Sequence, residues 1–139
     1  MSAIPLLLIF ASSLVILCLG VLHVVLTFRG TRLHPRDTGL VQRMSEESPN
    51  LTRETTMWRA WIGFNASHGF GAMLFGLVYG YLALRQPQVL RSSPFLLLVG
   101  AAMLGGYVFL GRSYWFSVPY RGILIATSLY AVAVLAIWA

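Results

Sequence analysis

The residues best suited to chemistry in this chain lie in one apolar stretch that carries an unusual run of polar groups. Between Trp58 and Gly71 the sequence reads WRAWIGFNASHGFG, with Asn65 and His68 three residues apart. Residues three or four apart share a helix face, so Trp61, Asn65 and His68 would form one stripe. Asparagine and neutral histidine each offer a hydrogen-bond donor and an acceptor. We interpret this stripe as a candidate ligand-binding face.

A second histidine, His23, lies in the first apolar stretch. At about 1.5 Å per residue, it lies roughly 8 Å from the end of that stretch at Phe28. By the same rise, Asn65 and His68 lie roughly 10 and 15 Å from Trp58. If the two stretches are antiparallel, the three polar side chains meet in the half of a helix bundle nearest the long connection.

Polar side chains within apolar helices usually turn inward, because lipid offers no hydrogen-bond partner. We therefore predict an inward-facing polar pocket for a small apolar or amphipathic ligand. Its predicted lining residues are His23, Trp61, Asn65, His68, Tyr107 and Arg112. The alternative is that these groups only link helices to one another, at about 1 kcal/mol per hydrogen bond.

Two histidines on facing helices are also the axial ligand set of a b-type haem, which gives a membrane redox protein as a second hypothesis. The estimated depths of His23 and His68 differ by roughly 7 Å, which disfavours it. The cofactor therefore stays unassigned. All four acidic residues lie outside the apolar stretches, namely Asp37, Glu46, Glu47 and Glu54. We therefore predict no metal site and assign no catalytic residue.

Four apolar stretches must position these residues. Of the 139 residues, 58% are hydrophobic and 10% are charged, which is typical of a protein whose solvent is lipid. The stretches lack the alternation of a membrane barrel. We predict an all-α fold, an integral membrane four-helix bundle forming a single domain over residues 1–139. Its predicted spans are 4–28, 58–84, 94–111 and 122–139, with a loop over 29–57.

Two local signals occur within the loop. Thr38 would cap a short helix with an apolar face suited to a membrane surface. Ser48 and Pro49 are typical of the N-cap and first turn of a helix, which would lead into the second span.

The distribution of arginine predicts the orientation. All ten basic residues are arginine, and eight flank the side of the long loop while Arg85 and Arg91 flank the other. The positive-inside rule places the loop in the cytoplasm and both termini outside. The net charge of +6 is thereby explained by topology in a bacterial inner (plasma) membrane, and we predict no nucleic-acid partner.

Small residues recur along the second and third stretches: Gly69, Ala72, Gly76, Gly80, Gly100, Ala101, Gly105 and Gly106. Such faces let helix backbones approach closely, within one bundle or in a homo-oligomer. A structural subunit of a larger membrane assembly is therefore the third hypothesis.

The run W-x-G-F-N-x-S-H-G-x-G from Trp61 to Gly71, after His23-x-x-x-Thr27, resembles a family of small, uncharacterised bacterial membrane proteins with four transmembrane helices. The likeness covers nearly the whole chain. It implies the four-span fold without an assigned activity.

Overall fold

The computed structural model describes residues 3–138, and within this range the regular structure is entirely helical. The helices, in chain order, are α1 (Ile4–Phe28), α2 (Thr38–Glu46), α3 (Met57–Arg85), α4 (Pro87–Ser92), α5 (Pro94–Tyr114) and α6 (Ser117–Trp138).

Four of these helices, α1, α3, α5 and α6, are long and apolar enough to cross a membrane. The shortest, α5, has 21 residues and is therefore about 31 Å long, close to the thickness of a hydrocarbon core. Three of the four extend beyond the predicted spans. Helix α6 begins at Ser117, which places Pro119 in its first turn, where a missing N–H breaks no helical hydrogen bond.

The short loop helix α2 is present, but the predicted cap is wrong by one residue. Asp37 is the N-cap, and its carboxylate accepts a hydrogen bond from the Gly39 N–H at 2.8 Å. Thr38 is the first helical residue. A carboxylate at this position also stabilises the helix, because its negative charge lies at the positive end of the helix dipole.

The prediction that Ser48 and Pro49 begin a helix is also wrong. The Pro49 carbonyl accepts from the Thr52 N–H at 3.2 Å, so proline starts a turn here. The second span instead begins at Met57, where the Thr56 hydroxyl accepts from the Arg59 N–H at 3.3 Å as an N-cap does. The short helix α4, with Leu90 buried, is not foreseen by the sequence.

Internal contacts divide the chain into two compact units. The first unit comprises the described residues up to Leu19 together with those from Ala72 onward, and the second unit is Gly20–Gly71.

Aromatic side chains fill the core of the first unit. Phe75 stacks on Tyr79 with ring centroids 4.6 Å apart, and Tyr79 meets Tyr130 edge to face at 6.0 Å. The Tyr79 hydroxyl donates to the Leu96 carbonyl at 2.6 Å, and that of Tyr130 donates to Leu97 at 3.0 Å. These bonds satisfy the polar ends of rings that are otherwise buried among aliphatic side chains.

Glycine brings α1 and α3 close together in each unit. In the first unit, a Cβ on Gly76 would lie 2.6 Å from the Leu17 Cβ atom. In the second unit, a Cβ on Gly69 would lie 2.5 Å from Val24 and 3.3 Å from the Gly20 carbonyl oxygen. Small residues at such crossings allow backbone contact, as the sequence predicts.

The pairing of Gly69 with Val24 sets the register of the two helices in the second unit. Continued along the antiparallel pair, it places Phe28 level with Asn65. Helix α3 therefore extends about eight residues, or roughly 12 Å, past the end of α1. The depth estimates made from sequence took the ends of the two helices as level, which they are not.

Candidate functional site

The two intrahelical histidines of the second unit are in direct contact. His23 projects from α1 and His68 from α3, with ring centroids 5.1 Å apart and ring planes at 84°. The register explains the contact, because with Phe28 level with Asn65 the depths of His23 and His68 differ by only about 3 Å. The sequence-based expectation that these side chains meet is matched by this geometry.

Asn65 completes this group, which we call the histidine cluster: His23, Asn65 and His68. Both the side chain and the backbone of Asn65 lie beside the His23 ring. The Asn65 amide nitrogen donates to the Trp61 carbonyl at 2.9 Å, which anchors the side chain to its own helix. This hydrogen bond holds the Asn65 carboxamide, including its oxygen, in one orientation on α3.

The Nε2 atom of His23 differs from the other polar groups described in the cluster. It is buried and has no hydrogen-bond partner within residues 3–138. A buried polar atom without a partner costs about 1 to 3 kcal/mol and is rare in native proteins. The hydroxyl of the neighbouring Thr27 donates back to the His23 backbone carbonyl at 2.8 Å.

Aromatic rings continue from the cluster toward the loop. Trp61 stacks on Trp58, with centroids 5.2 Å apart and planes at 7°. Trp58 in turn meets the His34 ring edge to face at 4.8 Å. These contacts hold the loop against the first turns of α3, beyond the point where α1 ends.

The other two predicted site residues belong to the first unit. Tyr107 is buried, and its ring centroid lies 6.2 Å from that of Trp115. Arg112 is exposed in the last turn of α5. The four predicted residues of the second unit are therefore the ones that the contacts above connect: His23, Trp61, Asn65 and His68.

The observed contact between the two histidines does not fit a haem ligated by both. Such a haem places its macrocycle between two imidazoles that bind opposite faces of the iron. Here one ring edge rests against the other ring face, and the 5.1 Å between centroids leaves no space for a macrocycle. Within the described residues, no three groups of the types that bind metal ions come together.

One surface feature of the loop is not predicted by the sequence analysis. The loop after α1 contains a depression of about 530 Å³ lined by Arg32, Arg36 and His34. His34 packs on Trp58, a contact that spacing along the sequence does not indicate. The available signal was charge, because residues 29–36 include three arginines and no acidic residue.

Comparisons with protein-family models, curated proteins and solved structures find no match to this chain. The resemblance drawn from the second-span motif therefore stays a prediction.

Proposed function

We propose that this chain is a multi-pass protein of a bacterial plasma membrane, with both termini outside and the loop between α1 and α3 in the cytoplasm. The length and apolar composition of α1, α3, α5 and α6 support insertion. The unequal distribution of arginine supports the orientation, since Arg85 and Arg91 alone flank the opposite side.

Within that frame, we propose that the histidine cluster binds the polar group of a small apolar or amphipathic molecule. The observation that carries this proposal is the buried Nε2 of His23, which has no hydrogen-bond partner in the described part of the chain. A neutral imidazole nitrogen accepts from a hydroxyl or, in the other tautomer, donates to a carbonyl. A ligand with either group would therefore remove the cost of the unsatisfied atom.

The surroundings favour a ligand whose remaining surface is apolar. Trp61 and Val24 lie near the cluster on the same two helices, and both helices are long apolar segments. Ligand sites of this kind combine an apolar wall with a few oriented polar groups. The function proposed is binding, as an accessory protein, and no catalytic step is assigned.

Substitution of the cluster tests this proposal. The full chain is purified in mild detergent, and co-purifying small molecules are identified by mass spectrometry. His23→Leu, Asn65→Ala and His68→Ala are each expected to remove the co-purifying molecule and the thermal stabilisation that it provides. Ser67→Ala is the matched control, because Ser67 is exposed next to His68 and its hydroxyl donates to the Phe64 carbonyl of its own helix.

The ligand-free protein separates binding from simple helix linkage. If His23 serves a ligand, His23→Leu leaves the stability of the stripped protein unchanged or raises it, because an unsatisfied polar atom is removed. If the cluster only links helices, the same variant lowers that stability. The proposal would be contradicted if all three variants kept the co-purifying molecules and if, before stripping, they were as stable as the wild type.

The redox alternative is tested on the same preparation. A haem bound by both histidines requires a Soret band that disappears with either His23→Ala or His68→Ala. The edge-to-face contact of the rings leads us to expect a colourless protein from haem-replete cells.

A further inference from the structure

The loop between α1 and α3 holds a second candidate site, which we call the basic depression. It has a volume of about 530 Å³, within the usual range for small-ligand pockets. Its lining combines two arginines, a histidine and two threonines: Arg32, Arg36, His34, Thr31 and Thr38. All of these side chains can donate hydrogen bonds, and no carboxylate lines the depression.

The backbone around the depression has defined turns. Gly30 has a φ of 82°, in the left-handed region that glycine adopts without strain, and it turns the chain after α1. The His34 N–H then donates to the Thr31 carbonyl at 3.0 Å, which closes a tight turn. The contact between His34 and Trp58 attaches this turn to α3. The arginines therefore project from an anchored loop.

The arginines of the depression are available for an anion. Neither Arg32 nor Arg36 forms an ion pair within the described part of the chain. The nearest carboxylate in sequence, Asp37, is occupied by Arg43 at 3.3 Å and by the Gly39 N–H at 2.8 Å. The result is a local excess of positive charge and donors that no ion pair among residues 3–138 neutralises.

We infer that the basic depression binds the phosphate group of an anionic phospholipid. Guanidinium groups match phosphate oxygens with paired, charge-assisted hydrogen bonds, and threonine hydroxyls supply further donors. The depression begins three residues after the end of α1 at Phe28, where a spanning helix would leave the hydrocarbon. A basic segment at that level attracts anionic headgroups.

The apolar side of α2 supports a lipid headgroup over free phosphate as the source. Val41 lines the depression, and Leu40 beside it is 39% exposed, so apolar surface adjoins the anion site. An acyl chain and its glycerol would contact such surface, whereas inorganic phosphate would not. The inference rests on the proposed membrane insertion, but it does not depend on a ligand at the histidine cluster.

Native mass spectrometry of the full chain tests the inference. The protein is taken from micelles containing phosphatidylglycerol and phosphatidylcholine, and bound lipids are counted. The wild type is expected to retain phosphatidylglycerol in preference to phosphatidylcholine. The double variant Arg32→Gln/Arg36→Gln is expected to bind phosphatidylglycerol about tenfold or more weakly. Arg53→Gln/Arg59→Gln is the matched control, because it removes the same charge from exposed positions outside the depression.

Three results would overturn the inference. Equal loss of lipid in both double variants would show general electrostatic attraction. Undiminished binding by Arg32→Lys/Arg36→Lys would show that charge alone suffices, since lysine lacks the planar fork of arginine. Displacement of phosphatidylglycerol by inorganic phosphate at constant ionic strength would reassign the site to free phosphate. His23→Leu should leave lipid retention unchanged, which separates this site from the proposed ligand site.

Discussion

At Gly100 the first unit leaves no room for a side chain. A Cβ there would lie 2.6 Å from the Tyr130 Cζ atom and 2.9 Å from the Tyr79 Cε1 atom. Both rings are held by hydrogen bonds to α5, at Leu97 and Leu96, so neither can withdraw freely. Gly105 on the same helix has open space around its Cβ position. The two glycines are chemically identical but differ in what lies opposite them.

We therefore expect Gly100→Ala, but not Gly105→Ala, to destabilise the protein. Gly100→Ala should lower the free energy of unfolding by about 1 to 3 kcal/mol through overpacking. Gly105→Ala should leave it unchanged or raise it by up to about 1 kcal/mol, because alanine is the better helix former. Thermal unfolding followed by circular dichroism in the same detergent measures both. Equal changes in the free energy of unfolding would show that the Tyr79 and Tyr130 rings can move to accommodate the added methyl group.

At the scale of elements, the contact between α1 and α6 can be separated from the stability of α1 itself. Ser12 and Ser13 are adjacent and fully buried. The Ser12 hydroxyl donates to the Ala126 carbonyl of α6 at 2.8 Å, whereas that of Ser13 donates to Ile9 of its own helix at 2.8 Å. Only the first bond joins two helices.

Ser12→Ala is expected to destabilise the protein by about 0.6 to 2 kcal/mol, the range found for hydrogen bonds between membrane helices. Ser13→Ala removes the same oxygen and creates the same void, yet it should cost only a few tenths of a kcal/mol, because it loses a bond within one helix. Unfolding in mixed micelles by denaturing detergent compares the two. A larger effect from Ser13→Ala would contradict this assignment of the bonds.

At the scale of the whole molecule, the proposed orientation is open to direct measurement. Cys18 is the single cysteine, so Cys18→Ser provides a background without thiols. Asn50→Cys and Gln88→Cys then place one thiol at exposed positions in opposite connections. With the arginine-rich loop inside, an impermeant maleimide should label Gln88→Cys in intact cells.

Asn50→Cys is the matched control in that experiment, because it should react only after the cells are lysed. Labelling of Asn50→Cys before lysis would place the loop outside and reverse the proposed topology. It would also remove the basic depression from the cytoplasmic leaflet, where anionic headgroups attract juxtamembrane arginines.

The helices themselves followed from local properties of the sequence. An apolar run of 25 residues, Ile4–Phe28, satisfies its backbone only through its own helical hydrogen bonds once water is absent, so its bounds could be predicted. The sequence likewise contained the polar stripe of Asn65 and His68 and the arginine excess of the loop. These are properties of neighbouring residues, which the order of the chain determines alone.

The tertiary structure decided what those residues meet. Residues such as Gly69 and Val24 set the register between α1 and α3, and that register places His23 against His68. It also lets α3 reach past α1, so that Trp58 packs on His34 beside the basic depression. Helix periodicity specifies the face of a residue but not its axial offset from a neighbouring helix. That offset depends on which small residues allow close approach, and so it emerges only when the helices pack.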